Sequence, residues 1–273
     1  MCAKRATPQT RVMRLTHCGD WYPNMGVLDL SALGQMPVKT RGAAIASSHS
    51  AKQNQLLAAL PPKEYQRLLT LSKPVALTFG KTLHELGKPI RHVYFPISCV
   101  VSLLTTVEKR HQLEVGLVGY EGMVGIPLAL GISVSPVRAL VQCTGTALRM
   151  TSAQFRGEYA KSKSLHRESN RYIHNWTVQL TQIAACNRFH RVNARLARWL
   201  LMTRDRTGTN DCLYTQQHLS NVLGVRRSAV TIAAGYLQRR KLISYHRGKI
   251  NILDPKGLEA AACSCYEIVK HIS

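Results

Sequence analysis

The sequence predicts an α+β chain: an N-terminal antiparallel β jelly-roll barrel, one long helix and a C-terminal winged helix-turn-helix. Three observations lead there. Between residues 75 and 150, short apolar runs alternate with glycine and proline at near-regular spacing, the pattern of a small closed sheet. From Ser164 to about Asn187 the chain holds neither proline nor glycine and its apolar residues recur at helical steps. The last third then places two short amphipathic helices around Gly224, followed by a hairpin.

Composition narrows the function classes. Apolar residues make up 45% of the 273 and charged residues 19%, which excludes global disorder. No apolar run is long enough for a membrane span. The opening Met1-Cys2-Ala3-Lys4-Arg5 leads into polar sequence, so no secretory leader and a cytoplasmic location are expected. Thirty-seven Lys and Arg against fourteen Asp and Glu leave a net charge of +23. Such an excess repels itself unless a polyanion is the partner, which puts nucleic acid or an anionic membrane surface ahead of other partners. The eight cysteines (Cys2, Cys18, Cys99, Cys143, Cys186, Cys212, Cys263 and Cys265) are scattered and read as free thiols.

In chain order, residues 1–50 lack periodicity and read as a flexible tail, with Met25 and Met36 as further possible starts. Residues 51–163 form the barrel domain. Leu56, Leu57 and Leu60 open it on a short helix that Pro61-Pro62 ends; Tyr65, Leu68 and Leu69 share one face of a second. Strands are expected at Val75–Phe79, Val93–Phe95, Val100–Thr106, Leu113–Val118, Ala139–Cys143 and Thr146–Met150. Thr151 or Ser152 caps a short helix through Phe155 and Tyr159. Residues 164–188 form the long helix. Its stripe reads either as packing on its own domain or as a dimer seam; the seam is favoured, with Ile173, Trp176, Leu180, Ile183 and Asn187 at the interface.

Residues 189–273 form the winged helix domain. The stretch from Cys186 to Lys256 alone carries +11. Thr215 caps the first short helix, and Leu219, Val222 and Leu223 give it an apolar face. Gly224 sits where the chain must turn with positive φ, and Val225 fills the angle. Val230, Ala233, Ala234 and Leu237 face inward on the second helix, which leaves Arg227, Ser228, Thr231 and Ile232 outside. Two apolar strands flanking Arg247-Gly248-Lys249 make the wing. Helix, glycine turn, basic helix start, wing and local positive charge together point to double-stranded DNA, with the second helix in the major groove.

These segments resemble the Crp/Fnr family of bacterial transcription regulators. The resemblance is carried by His92-Val93-Tyr94-Phe95-Pro96, Gly119-Tyr120-Glu121-Gly122-Met123-Val124-Gly125, Arg195-Leu196-Ala197-Arg198-Trp199-Leu200-Leu201, Leu223-Gly224-Val225-Arg226-Arg227 and Gly257-Leu258-Glu259-Ala260-Ala261-Ala262-Cys263. It implies a cyclic-nucleotide-binding-like sensor barrel, a homodimer on an inverted-repeat operator, and RNA polymerase as a further partner. Base contacts then fall to Arg227, Ser228, Thr231 and Ile232. Phosphate contacts fall to Thr215, Gln216, Arg226, His246, Arg247 and Lys249. Familiar members carry an acidic residue where Ser228 stands and an arginine where Ile232 stands, so the target site should differ from the familiar one.

The sensor cassette departs too. Family members that bind cyclic nucleotides place a phosphate-binding arginine roughly ten residues after a Gly-Glu pair. Here the next arginine after Glu121 is Arg138, seventeen positions on, so cyclic AMP is not expected as effector. No cofactor, metal site or catalytic residue is expected: Cys2 and Cys18 stand apart, and Cys263-Ser264-Cys265 offers two sulfurs with no pair nearby in the sequence. Two other readings remain. A barrel-domain metalloenzyme with an accessory nucleic-acid-binding tail lacks the paired histidines of a cupin-like site, and a sequence-blind RNA binder would show no preference among DNA duplexes.

Overall fold

The computed structural model describes residues 54–107 and 111–272; the expected tail at 1–50 lies outside them. Asn54 opens the described chain. Its Oδ1 accepts the Leu57 amide (3.2 Å) at the start of α1 (Gln55–Ala58), and its Nδ2 donates to the carbonyls of Pro96 and Gly122. α2 (Pro62–Leu71) starts at the expected proline pair, where a missing N–H costs nothing.

The barrel is two antiparallel sheets. One has the order β1 (Lys73–Leu77), β7 (Gly145–Thr151), β3 (His92–Pro96). The other has the order β2 (Thr82–His84), β6 (Arg138–Cys143), β4 (Val100–Val107), β5 (His111–Val118). Val93, Phe95, Val101, Leu103, Val118, Val141 and Met150 belong to its buried core. The three-residue β2 escaped the sequence reading because it is too short to show an alternation. Thr151 forms a full capping box with Gln154 at α3 (Ser152–Tyr159).

The long helix α4 spans Lys163–Phe189, with the Ser162 hydroxyl accepting the Leu165 amide (2.9 Å). Its faces divide differently from the single stripe read in the sequence. Ile183 is buried within its own chain, and Trp176 packs on the barrel core, as does part of Ile173. Trp176 and Ile183 thus make intrachain contacts on the helix face that the sequence assigned to the seam. Asn187 accepts a hydrogen bond from Arg195 (2.7 Å).

α5 (Val192–Thr207) follows and ends at Gly208. The winged domain is α6 (Gln216–Leu223), α7 (Arg227–Arg239), α8 (Pro255–Ala261) and α9 (Cys265–Ile272) around a small sheet. That sheet has the order β8 (Asp211–Leu213), β10 (Lys249–Ile252), β9 (Ile243–His246), so the expected two-stranded wing gains a third strand. The turn between α8 and α9 lies against the end of α4. This sets Cys263 and Cys265 beside Cys186 and His190, correcting the expectation that the two sulfurs have no neighbours.

Barrel and winged domain share a core. Val100 and Leu117 of the barrel pack in the same cluster as Leu196, Trp199 and Leu200 of α5. Polar bonds cross the same junction. The Trp199 indole donates to Glu114 Oε1 (2.8 Å) and Arg206 is paired with Glu121 (2.8 Å); within the barrel, Ser102 donates to Glu114 Oε2 (2.6 Å). Burial pushes the Glu114 carboxyl up to about 7, against the opposing pull of the Ser102 and Trp199 hydrogen bonds and the Arg198 and Arg206 charges.

A carboxyl raised in the folded state favours folding at low pH, and that contribution is lost as pH rises from the unfolded value through about 7. Glu114→Gln removes the charge and keeps the shape. Between pH 5 and pH 8 the variant should gain roughly 2–3 kcal/mol of unfolding free energy relative to the parent, measured by denaturant titration at both pH values. A constant difference would show that Glu114 does not titrate in this range.

Candidate nucleic-acid interface

The helix-turn-helix forms for the reasons its sequence gives. The Thr215 hydroxyl accepts the His218 amide (3.1 Å) and caps α6. Leu219, Val222 and Leu223 are buried. Gly224 ends α6 at φ 61°, where a side chain would be strained and its Cβ would lie 2.6 Å from Leu113 Cδ1. Ser220 Oγ donates to the Val225 carbonyl (2.5 Å) and closes the turn. Val230, Ala233, Ala234 and Leu237 seat α7 on the domain core.

What remains outside is the face the sequence assigned to DNA. Arg226, Arg227, Ser228 and Thr231 are exposed, and Ile232 is 71% exposed. The Thr231 hydroxyl donates back to the Arg227 carbonyl (3.1 Å), which leaves its oxygen and methyl facing out. In the wing, His246, Arg247 and Lys249 are exposed. Lys249 reaches only a long exposed pairing with Asp211 (3.9 Å), of the kind that contributes little. Tyr245 Oη donates to the Tyr214 carbonyl (3.1 Å) and Gln238 to the Tyr245 carbonyl (3.3 Å), which hold wing and helices in register.

Between recognition helix and wing runs an open cleft. It is lined by Thr215, Gln216, Arg227, Thr231 and Arg247, with Gln238 and Tyr245 at its floor and wall. Five of the ten contact residues read from the sequence thus converge on one surface that offers two guanidinium groups and no carboxylate. Ser228 and Ile232 lie on the exposed helix face, and His246 and Lys249 lie along the wing. His218 is set apart from this surface. It stacks on Tyr214 (centroids 5.1 Å, planes 14°), and burial pushes its pKa down to about 4, so it stays neutral as part of the packing.

The wing turn carries a strained residue. Arg247 at φ 48° and Gly248 at φ 83° are the two central positions of the hairpin, the geometry of a type I′ turn. Asn or Gly normally fills the first of these; an arginine there costs stability and is retained at a position facing solvent.

In the barrel, the two residues nearest to a nucleotide cassette are otherwise engaged. Glu121 is held by buried Arg206, and Arg138 donates to Thr82 (2.9 Å) and lies 3.6 Å from Glu85. The cavity beside the 3-10 turn Ile126–Leu130, lined by His84, Met123, Pro127 and Trp176, measures about 20 Å³, room for one water at most. Sequence reasoning missed the Glu114–Trp199 and Glu121–Arg206 bonds. Each joins residues 85 positions apart, and the only signal was that buried α5 carries polar side chains.

Residues 194–261 match the family of Crp-like helix-turn-helix domains. These residues therefore carry a Crp-like helix-turn-helix domain, and the chain as a whole has the fold of solved Crp/Fnr-type structures. Its fold is shared by a transcriptional regulator of the Crp/Fnr family from Eubacterium rectale (TM-score 0.58, 17% identity, 76% of this chain and 96% of that one). It is shared by FixK2 from Bradyrhizobium japonicum (TM-score 0.60, 10% identity, 71% and 98%). The CRP-family transcriptional regulator TTHB099 from Thermus thermophilus is similar as well (TM-score 0.59, 16% identity, 69% and 96%). No curated protein sequence matches the chain. No helix among the described residues is long and apolar enough to cross a membrane.

Arg247→Gly should separate strain from function. Relieving the positive φ should leave the fold unchanged or stabilise it by up to roughly 1 kcal/mol in thermal unfolding. The same variant should bind duplex DNA more weakly and with a shallower salt dependence. Undiminished DNA binding would remove Arg247 from the interface.

Proposed function

We propose that this regulator acts in the cytoplasm as a homodimer that reads an inverted-repeat operator. α7 lies in the major groove and the wing along the backbone, and regulation passes to RNA polymerase. The observation that carries this reading is the acid-free cleft joining the exposed start of α7 to the wing. Arg227 stands in the first turn of α7, where a guanidinium bonds guanine O6 and N7 together. Ser228 accepts or donates to several bases, and Ile232 offers only apolar contact, as to a thymine methyl. Thr215, Gln216, Arg226, His246, Arg247 and Lys249 hold phosphate. Cyclic AMP is not the effector, given the engaged Glu121 and Arg138.

Arg227→Ala should weaken the preferred site by ~1–3 kcal/mol and relax preference at one base pair per half-site. Lys249→Ala should weaken all duplexes alike and lower the salt slope by about one per subunit. Titration across single-base variants of the site decides between them. Equal loss on every variant for Arg227→Ala would mean that the wrong face of α7 has been assigned.

For the dimer, Ile173, Thr177, Leu180, Ala184 and Asn187 follow alternating steps of four and three along α4, and each is exposed or half-exposed in the single chain. Two-fold symmetry then spaces the half-sites about one helical turn, ~34 Å, apart. Leu180→Asp combined with Ala184→Asp should give a folded monomer with poor operator affinity. A parent protein that sediments as a monomer at micromolar concentration would overturn the seam.

A further inference from the structure

Three cysteines and a histidine meet where the long helix ends. Cys186 and His190 stand one helical turn apart on the last turn of α4 and its cap. Cys263 and Cys265 flank the turn into α9. One donor atom from each of the four lies within 4.8 Å of every other. Cys186 Sγ is 3.5 Å from Cys263 Sγ, and Cys265 Sγ is 3.3 Å from His190 Nδ1. Tetrahedral zinc, with Zn–S about 2.3 Å and Zn–N about 2.0 Å, sets its donors roughly 3.5–3.8 Å apart. The four groups therefore already stand close to the edges of such a tetrahedron. An iron–sulfur cluster, whose protein ligands are spread over several irons, needs a wider cradle.

Burial and charge agree with an ion at this point. The three sulfurs are buried, and His190 is partly exposed, which leaves an approach from solvent. Gln182 Nε2 donates to Cys265 Sγ (3.0 Å), the kind of outer bond that orients a metal thiolate. Three thiolates and an imidazole on a divalent ion carry a net charge of −1. Beside them lie Arg195 and Arg198, 6% and 4% exposed, neither paired with a carboxylate among the described residues. In both, Nε has no hydrogen-bond partner. The field of Arg198 acts on both Cys186 and Cys263. Buried guanidinium charge without a carboxylate is costly, and an anionic metal thiolate centre offsets it.

We propose that Cys186, His190, Cys263 and Cys265 bind one zinc ion. The donor set is soft, which selects zinc over magnesium or calcium. Such an ion ties the end of α4 to the α8–α9 turn, across the corner at His190 and Arg191 from which α5 departs. It therefore fixes the angle between the long helix and the winged domain.

The test uses the full chain, purified under reducing conditions without added metal. Elemental analysis should find about one zinc per chain, and Cys263→Ser and Cys265→Ser should each lower this at least tenfold. Because either variant could fail to fold, the parent protein is also stripped with a chelator and titrated with cobalt(II). One equivalent should produce thiolate-to-cobalt charge-transfer absorption and strong tetrahedral ligand-field bands, both removed by zinc. Neither readout depends on DNA. Absence of those bands, unchanged zinc in a folded Cys263→Ser protein, or a Cys186–Cys263 disulfide in place of the ion would overturn the proposal.

Discussion

The arrangement of the whole molecule depends on burying α5 on several sides at once. Leu196, Trp199 and Leu200 share a core with Val100 and Leu117 of the barrel, and with Leu219 and Val230 of the helix-turn-helix. A helix covered this way must also satisfy its polar groups. Trp199 does so on Glu114, and Arg206 does so on Glu121. Removing one partner of the buried Arg206–Glu121 ion pair leaves an uncompensated charge, typically costing about 3–5 kcal/mol. The recognition helix thus inherits its position from a joint made of apolar area and two buried carboxylates.

That joint gives the charge of the chain a direction. An excess of +23 spread evenly would only repel itself. Here the start of α7 and the wing turn border one cleft without a carboxylate, while Glu114 and Glu121 are consumed inside the joint. Exposed Ile232 and strained Arg247 belong to the same surface. Both are unfavourable for an isolated domain and reasonable on a face that meets a groove and its phosphates.

Much of this was legible in the sequence because it rests on local rules. The helix-turn-helix follows from Thr215 as cap, Gly224 at positive φ and inward Val230, Ala233 and Leu237. The six expected strands appear within a few residues of their expected ends. What escaped is long-range or short-lived in sequence. β2 and β8 are three residues each. The division of α4 between barrel and solvent faces depends on which neighbour Trp176 meets, which periodicity does not encode. Cys186 and Cys263 are 77 residues apart, so no spacing rule pairs them. The sequence shows only a cysteine four residues before a histidine and, far away, one Cys-x-Cys pair.

In the proposed function the exposed start of α7 reads sequence as part of a symmetric pair. Selection of bound duplexes from a random pool tests it most directly, with the full chain at physiological salt and single-stranded RNA as competitor. One inverted repeat should be enriched, with half-sites about one helical turn apart and guanine at a fixed position in each. A pool that stays random, or binding lost equally to the RNA, would contradict it.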